Sequence, residues 1–480
     1  MIRRLIISFL ACGISVPLAV ADTWNPIPGI PSPPFGVIEE PPALPAPWDN
    51  ETSGFYYVCA NCPGSGNRTY GTPSAPRNSL PSNPSSGDVI VLAGQYSSVD
   101  YRFSCSANAP CFLLGDPSNP PTISGESSFG GSYYIVDGVH ATLGNASGST
   151  LGLSGDHGAF RNGRITGNAN YGGAWTDGSY LVLMNNQIVD NGDVNASNDQ
   201  DRHGVKVYGN NVWIVGNELA RNSGDGIQVG DIGTRNGISH IYVGGNVAHD
   251  NKQTGIWVKE AQHVIVSSNL SYGHEPSGSS DGEGMGGQYD PQWVWFLFNE
   301  IRDNTGGIGF KSSNNGAGRN FYVVGNYIHN NLNPFYSPND AWTQASVASW
   351  NNADLTIVNN TIDGNTGGIN LNGNTGSTYI YNNAITNMQH PNAKAIFAAD
   401  PGDVDFEQAN AGDGQQVIDT GVTPPAARNP YQIFAAQYGI EIQVDFDRKS
   451  RPIRQWDIGA YESNDEAGPR PKAPVLEQVN

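Results

Sequence analysis

Short alternating apolar runs recur along this chain, and an asparagine follows each of them. In each run two mostly apolar residues are separated by one position, and the asparagine comes three residues after the second. The asparagines are Asn186, Asn217, Asn246, Asn269, Asn299, Asn326, Asn360 and Asn383. Their spacings are 31, 29, 23, 30, 27, 34 and 23 residues. A period of this length indicates a stacked-repeat architecture.

Asparagine at a repeated corner has a specific physical use. Its side chain carries two N–H donors and a carbonyl acceptor, so stacked asparagines can satisfy corner backbone groups and bond to one another. A buried amide without partners costs about 1–3 kcal/mol, which keeps the rungs in register. Asparagine is also a common turn residue, but that alternative does not explain eight at one offset. We predict an asparagine ladder that begins at Asn186, with Gly163 at the equivalent place one rung earlier.

A second strand follows many of these asparagines after a short turn. Its alternation predicts that Val205, Ile227, Ile256, Ile308 and Ile369 point inward and that the residues between them point outward. A β-propeller or β-sandwich would need closely spaced antiparallel hairpins, which the ladder spacing does not match. We therefore predict an all-β fold, a right-handed parallel β-helix solenoid with an asparagine ladder.

The N-terminus is typical of a secretory signal. Arg3 and Arg4 precede an apolar stretch, and Ala19-Val20-Ala21 fits a cleavage site. No other long apolar run follows, so we expect an exported monomer, secreted or periplasmic, without a membrane span. The expected parts of the chain are a signal peptide (1–21), a proline-rich spacer or disordered leader (22–53), the β-helix (54–463) and a disordered tail (464–480).

Four cysteines remain after signal removal: Cys59, Cys62, Cys105 and Cys111. An even number in an exported chain favours two disulfides, with three possible connectivities. The local pairing, Cys59 with Cys62 and Cys105 with Cys111, is the expected one. A four-cysteine zinc site is the alternative.

Charge restricts the possible partners. The chain has 44 acidic and 24 basic side chains, for a net charge of −20. Phosphate binding needs a basic face, so nucleic acid is excluded as an expected partner.

The outward positions of the second strands mix amides, aromatic rings and lysines. Such a mixture favours a carbohydrate groove, although a solvated sheet face is the alternative. The expected substrate-binding residues are Tyr208, Gln228, Trp257, Gln288, Tyr289 and Lys311.

Two carboxylates, Asp231 and Glu260, fall at one offset on adjacent coils, which puts them on the order of 5 Å apart. Like charges at that distance need a cation, a shared proton or solvent. Calcium suits oxygen ligands in an exported protein, so the pair is a candidate calcium site. A retaining glycosidase also places two carboxyls at such a distance, and two solvated acids are the third alternative.

The repeats resemble the pectate-lyase-like right-handed β-helix superfamily over about 55–463. The resemblance rests on the ladder, on the segment 87–96 (GDVIVLAGQY), which is similar to a first coil, and on 457–462 (DIGAYE), which is similar to a closing segment. The superfamily contains polysaccharide lyases, glycoside hydrolases, uronan epimerases and surface proteins, so the fold does not fix the reaction.

The lysines favour a lyase. Similar β-helix lyases use a lysine or arginine base, often with calcium, to remove the C5 proton of a uronate. Lys206 is the first candidate base, and Lys259 is the second. Arg202 and His203, just before Lys206, are expected to lower its pKa or to serve as the acid. The alternative for this segment is a polar turn that enters a strand.

We therefore expect an enzyme that cleaves a uronic-acid polysaccharide by β-elimination. The alternatives are a hydrolase with Asp231 and Glu260 as acid and nucleophile, an epimerase, and a non-catalytic surface or adhesion protein. The chain lacks the Asp-Pro-His of alginate epimerases and the aspartate trio of polygalacturonase-like hydrolases.

Overall fold

The structure is a computed structural model. It describes residues 24–142, 151–167, 172–233, 237–311, 319–332, 347–349, 353–371, 376–389, 396–397, 404–405, 421–452 and 456–462. The expected signal peptide (1–21) and tail (464–480) lie outside the described residues.

Parallel strands account for nearly all of the regular structure, in two sheets. The larger sheet contains Phe55–Val58, Val89–Leu92, Val99–Ser104, Cys111–Gly115, Ser127–Asp137, Leu151–Arg161, Ala174–Met184, Val205–Val215, Ile227–Val229, Ser239–Gly244, Ile256–Lys259, Gln262–Ser267, Glu283–Gln288, Gln292–Leu297, Gly306–Lys311, Arg319–Val324, Val347–Ser349, Leu355–Val358, Ile369–Asn370, Thr378–Tyr381, Ile396–Phe397 and Val404–Asp405. The smaller sheet contains Gln95–Tyr96, Thr122–Ile123, His140–Thr142, Arg164–Thr166, Gln187–Val189, Glu218–Ala220, Val247–His249, Leu270–Tyr272, Glu300–Arg302, Tyr327–His329, Thr361–Asp363 and Ala384–Thr386. A 3-10 helix, Ala426–Arg428, and an α-helix, Pro430–Tyr438, follow the strands.

Each coil has three faces. Strand Val205–Val215 bends at Gly209, whose φ is 110°, so its two halves lie on different faces. A side chain at Gly209 would place Cβ 2.2 Å from the carbonyl oxygen of Gly178, so this bend needs glycine. We call the face of the first half the groove face and that of the second half the covered face; the smaller sheet is the third face.

The core runs along the inside of the coils. The inward prediction is confirmed, because Val205, Ile227 and Ile256 are 0% exposed and Ile308 and Ile369 are 1% exposed. They belong to one apolar cluster that continues from coil to coil. Each coil therefore buries its apolar row against the next.

The eight asparagines form the predicted ladder. The Nδ2 atom of each donates to Oδ1 of the next, over 2.8–3.0 Å, from Asn186 to Asn383. The Gly163 N–H donates to Asn186 Oδ1 at 2.9 Å, as expected for a ladder that begins at Asn186.

A second ladder lies five residues further along each coil. Its members are Asn191, Asn222, Asn251, His274, Asn304, Asn331 and Asn365. At His274 the imidazole replaces the amide, and Nδ1 accepts the Asn251 N–H at 3.3 Å. Its Nε2 lies 3.0 Å from the Ser271 hydroxyl. Burial lowers the pKa of His274 to about 3, so the ring is neutral in the fold.

The proline-rich leader packs on the covered face, so its interpretation as a spacer or disordered segment is wrong for the described residues from 24 onwards. Ile30, Phe35 and Val37 are 2–5% exposed. The buried Arg161 guanidinium donates to the Gly36 and Val37 carbonyl oxygens at 3.3 and 3.0 Å. These contacts fix the leader to the coils.

The α-helix Pro430–Tyr438 covers the same face nearer the C-terminal end. Trp295, an outward residue of its strand, is 0% exposed and lies 4.8 Å from the Phe434 ring, edge to face. The strands of this face are thus buried on both sides, which explains their continuous apolar runs.

Two local disulfides are present. Cys59 pairs with Cys62 and Cys105 with Cys111, with Cα–Cα distances of 5.5 and 5.9 Å. This is the expected pairing rather than the zinc alternative. Neither helix in the described part of the chain has the length and apolarity that a membrane crossing needs.

Candidate functional site

A groove of about 630 Å³ opens on the groove face. It brings together seven residues selected from the sequence: Arg202, His203, Lys206, Tyr208, Gln228, Asp231 and Lys259. Three further residues complete its lining: Trp175, Asp177 and Asp201.

Parallel register sets the spacing of the groove floor. Trp175 is paired with Lys206, Lys206 with Gln228, and Gln228 with Trp257. Neighbouring strands lie about 4.8 Å apart, so these side chains follow one another at that step along the axis.

The shortest ionic contact in the groove joins Lys206 and Asp231. The Lys206 Nζ lies 2.7 Å from Asp231 Oδ2, and the Tyr208 hydroxyl lies 3.4 Å from the same oxygen. Burial is the largest single effect and disfavours the charged lysine, but the hydrogen bonds and charges of Asp231 and Tyr208 together outweigh it and raise the pKa of Lys206 above its ordinary value. Burial likewise opposes the carboxylate, yet Lys206 and Lys259 hold the pKa of Asp231 below its ordinary value.

Lys259 has a neutral hydrogen-bond partner. Its Nζ donates to Gln228 Oε1 at 2.9 Å, and it lies 5.9 Å from the centre of the Tyr289 ring. Gln228 is 1% exposed and donates to the Gly230 carbonyl oxygen at 3.0 Å. The amide is thereby fixed with its oxygen towards the lysine.

His203 and Asp225 form a buried pair under the groove. Their side chains are 3.4 Å apart at Nδ1 and Oδ2, and His203 Nδ1 accepts the Asp225 N–H at 2.9 Å. Burial, with Lys206 and Lys259 nearby, lowers the pKa of His203 well below its ordinary value. The ring is therefore neutral and carries its proton on Nε2. Burial raises the pKa of Asp225 to about 7, against the effect of Lys259.

Four expected binding residues lie outside the groove lining: Trp257, Gln288, Tyr289 and Lys311. Lys311 Nζ lies 2.8 Å from both Asp281 and Glu283. The same ammonium lies 5.3 Å from the centre of the Trp257 ring, and Trp257 is 5% exposed. Lys311, Asp281, Glu283 and Trp257 thus contact one another, and these contacts cover the Trp257 ring.

The two members of the expected carboxylate pair differ in their surroundings. Asp231 lines the groove, whereas Glu260 is 2% exposed and does not line it. In the part of the chain that the structure describes, histidine, cysteine, aspartate and glutamate side chains form no group of three or more able to hold a metal ion. Calcium binding stays a prediction.

Trp175 was not among the outward residues predicted from the sequence, although the sequence contains a signal for it. The segment Gly173-Ala174-Trp175 repeats the glycine–apolar–outward order of Gly204-Val205-Lys206 one coil earlier. Asp177 is paired with Tyr208 in the same register. Asp201 and Asp225 lie on turns, for which strand alternation gives no direction.

Comparison with known proteins agrees with the parallel strand pairing. Residues 124–270 match the family model described as right handed beta helix region. The described residues form the parallel β-helix that the sequence predicted.

Among similar solved structures is the pectate lyase Pel9A, at 14% identity over 85% of this chain and 96% of that chain, with a TM-score of 0.40. The PL6 family polysaccharide lyase Pedsa3628 from Pseudopedobacter saltans is 14% identical over 79% of this chain and 96% of that chain, with a TM-score of 0.41. The A-module of the Azotobacter vinelandii mannuronan C-5 epimerase AlgE4 is 18% identical over 61% of this chain and 91% of that chain, with a TM-score of 0.39. No curated protein matches the chain.

Proposed function

We propose that this chain is an exported carbohydrate-active enzyme that cleaves a uronic-acid polysaccharide by β-elimination in the groove. The observation that carries the proposal is the convergence of Arg202, Lys206 and Lys259 in one groove of a protein whose net charge is −20. These three cations balance the three carboxylates that also line the groove, Asp177, Asp201 and Asp231, so the groove is far less acidic than the chain as a whole and can accept an anionic ligand.

Lys206 is suited to binding the substrate carboxylate. Its raised pKa keeps it charged at neutral pH. A positive charge beside the uronate carboxylate makes the C5 proton more acidic, because it stabilises the negative charge that develops when the proton leaves. The substrate carboxylate would take the place that Asp231 holds at Lys206.

Lys259 is the better candidate for the base. Its hydrogen-bond partner is the neutral Gln228 amide, whereas Lys206 is held by a carboxylate. The unprotonated form of the Lys259 amine takes the C5 proton, the C–H electron pair forms the C4–C5 double bond, and the C4–O bond breaks. This reverses the order of the two lysines expected from the sequence.

The leaving oxygen needs a proton, and Tyr208 is suited to give it. Burial raises the pKa of Tyr208, although Lys206 opposes this, so its hydroxyl is protonated at neutral pH. His203 is neutral and therefore does not act as an imidazolium acid, but its Nε2–H can donate a hydrogen bond.

The hydrolase alternative has less support. A retaining hydrolase needs one protonated carboxyl and one nucleophilic carboxylate on the same groove. The lowered pKa of Asp231 keeps it ionised, and Glu260 is buried outside the lining. Of the expected pair, Asp231 alone lines the groove, and as a carboxylate it lacks the proton that an acid must give.

A panel of uronans, with calcium and with a chelator, tests the proposal. Ultraviolet absorbance of an unsaturated uronate product supports the lyase. New reducing ends without that absorbance support a hydrolase, and binding without either product supports an adhesion role. Loss of activity in the chelator alone would support calcium, and export is tested by the mature N-terminus of the secreted chain.

A further inference from the structure

The two ends of the groove differ in exposure. Towards the N-terminal coils, Trp175 is 37% exposed, whereas towards the C-terminal coils the equivalent positions Gln228 and Trp257 are 1% and 5% exposed. All three side chains occupy one outward row of the groove face. The row is therefore open on one side of Lys206 and closed on the other.

The closed side is filled by neighbouring side chains. The Trp257 ring lies across Gly286, where an added Cβ would be 2.2 Å from the indole Cζ3. Lys311 covers this ring from 5.3 Å and is itself held by Asp281 and Glu283. Because the lysine satisfies both carboxylates, this cover is stable without a ligand.

The open side continues over small residues. Gly152 follows Trp175 in register, and Ser128 follows Gly152. In the adjacent outward row, Ser154 lies next to Asp177. Such residues leave the backbone surface accessible to a flat ligand.

Arg102 stands at the far end of this small-residue floor. It is paired with Gly130. A Cβ added at Gly130 would lie 2.4 Å from the Ser154 hydroxyl, and Ser154 is paired with Asp177. Three strand steps place Arg102 about 14 Å from the groove lining. Its side chain is 57% exposed, and Nη1 donates to the Ser128 hydroxyl at 2.8 Å. The exposed ion pair with Asp100, at 3.4 Å, leaves the guanidinium accessible.

We propose that the polysaccharide extends from Lys206 towards the N-terminal coils, with one sugar ring on Trp175 and a distal uronate carboxylate on Arg102. Rings of sugars present apolar C–H faces that pack on an exposed indole, and the guanidinium matches a carboxylate in two-point geometry. This inference rests on the proposed function, because it assigns the subsites of the same groove.

Binding of uronate oligosaccharides of increasing length to the Lys259→Ala variant, by calorimetry, tests this without turnover. We expect Trp175→Ala in that background to weaken binding about tenfold at every length. Arg102→Gln should weaken binding about threefold, and only for oligosaccharides long enough to reach it. Arg164→Gln, an exposed arginine on the third face, is the matched control and should leave affinity unchanged. Gln288→Ala tests the closed side.

The outcomes separate the two proposals. If the long oligosaccharide binds normally to Trp175→Ala and Arg102→Gln, or loses affinity in Gln288→Ala instead, the direction is wrong and the lyase proposal stands. If the protein with intact Trp175 and Arg102 binds no uronate at any length, both proposals fail.

Discussion

The Lys206 ammonium lies 2.7 Å from Asp231 Oδ2, and Lys259 acts on the same carboxylate electrostatically. An internal carboxylate thus occupies the cation cluster of the groove. A uronate that binds there must compete with it, and its own charge would be repelled by Asp231. The pair therefore determines how strongly the empty groove attracts an anionic sugar.

Asp231→Asn should strengthen substrate binding. Removing the internal anion leaves two lysines available, so we expect the KM for a uronan to fall about threefold to tenfold, with a smaller change in kcat. The effect should shrink at high salt because screening weakens charge interactions. Asp303→Asn, an exposed carboxylate beside Arg302, serves as the control and should change neither constant. A higher KM for Asp231→Asn would contradict the competition.

Arg161→Ala should release the leader. Its buried guanidinium contacts Asp137 at 2.7 Å and the backbone of residues 36–39, so its loss leaves buried acceptors unpaired. We expect a loss of about 3 kcal/mol in the free energy of unfolding, and earlier proteolysis within the leader. Arg164→Ala, with a side chain 46% exposed, should change stability by less than about 0.5 kcal/mol. Equal stability of the two variants would show that the contacts of Arg161 do not hold the leader on the coils.

Asn269→Ala should destabilise the middle of the ladder. The amide donates to the Val243 carbonyl oxygen and to Asn299, and its oxygen accepts from Asn246. The unpaired buried groups should cost about 3 kcal/mol, as measured by chemical denaturation. The exposed Asn108→Ala is the comparison and should be near neutral. A cost below about 0.5 kcal/mol at Asn269 would mean that water replaces the amide without penalty.

His274→Asn should make stability less sensitive to acid. The folded-state pKa of about 3 lies below the ordinary value of 6.5, so the unfolded chain binds more protons between these values. Stability is therefore lost as the pH falls from 6.5 towards 3, by about 2 kcal/mol at pH 5. Asparagine suits the ladder and does not titrate, so the difference in unfolding free energy between pH 7 and pH 5 should shrink by about that amount. If the difference in unfolding free energy between pH 7 and pH 5 is unchanged in His274→Asn, His274 does not cause the loss of stability in acid.

Local pattern was sufficient to predict the coil. The offset between an apolar pair and an asparagine depends on residues next to one another, and it located every member of the first ladder. The second ladder was missed although it follows at a constant five residues, because His274 and Met388 interrupt its residue type. A search for a second fixed offset would have found the other six positions.

The packing of the leader on the coils could not be predicted from local pattern in the same way. The proline-rich composition of the leader indicates an extended chain, but the structure packs the leader on the covered face, where it contacts outward Trp213. Trp213, and Trp295 under the α-helix, were the available signal for a cover. Which segment supplies the cover depends on contacts such as Trp213 Nε1 with the Pro31 carbonyl oxygen, 182 residues apart.

The sequence predicted which groove side chains align from strand to strand, but not which of them are exposed to solvent. Alternation placed Lys206, Gln228 and Trp257 in one outward row, as found. Trp257 is inaccessible because Lys311 lies over its ring, and one of the two carboxylates that hold Lys311 is Asp281, which lies in a loop, where position follows no periodicity. The charge state of Lys206 likewise depends on Asp231, which lies past the end of its strand.

The most direct measurement is the initial rate of unsaturated uronate formation by the wild type and by Lys259→Ala, Lys206→Ala and Lys252→Ala, each checked for folding. We predict a loss of at least about 100-fold for each groove lysine, with binding weakened chiefly in Lys206→Ala. The rate of Lys252→Ala should be unchanged, because Lys252 lies outside the groove lining. Full activity in Lys259→Ala or Lys206→Ala, or cleavage by the wild type without unsaturated product, would contradict it.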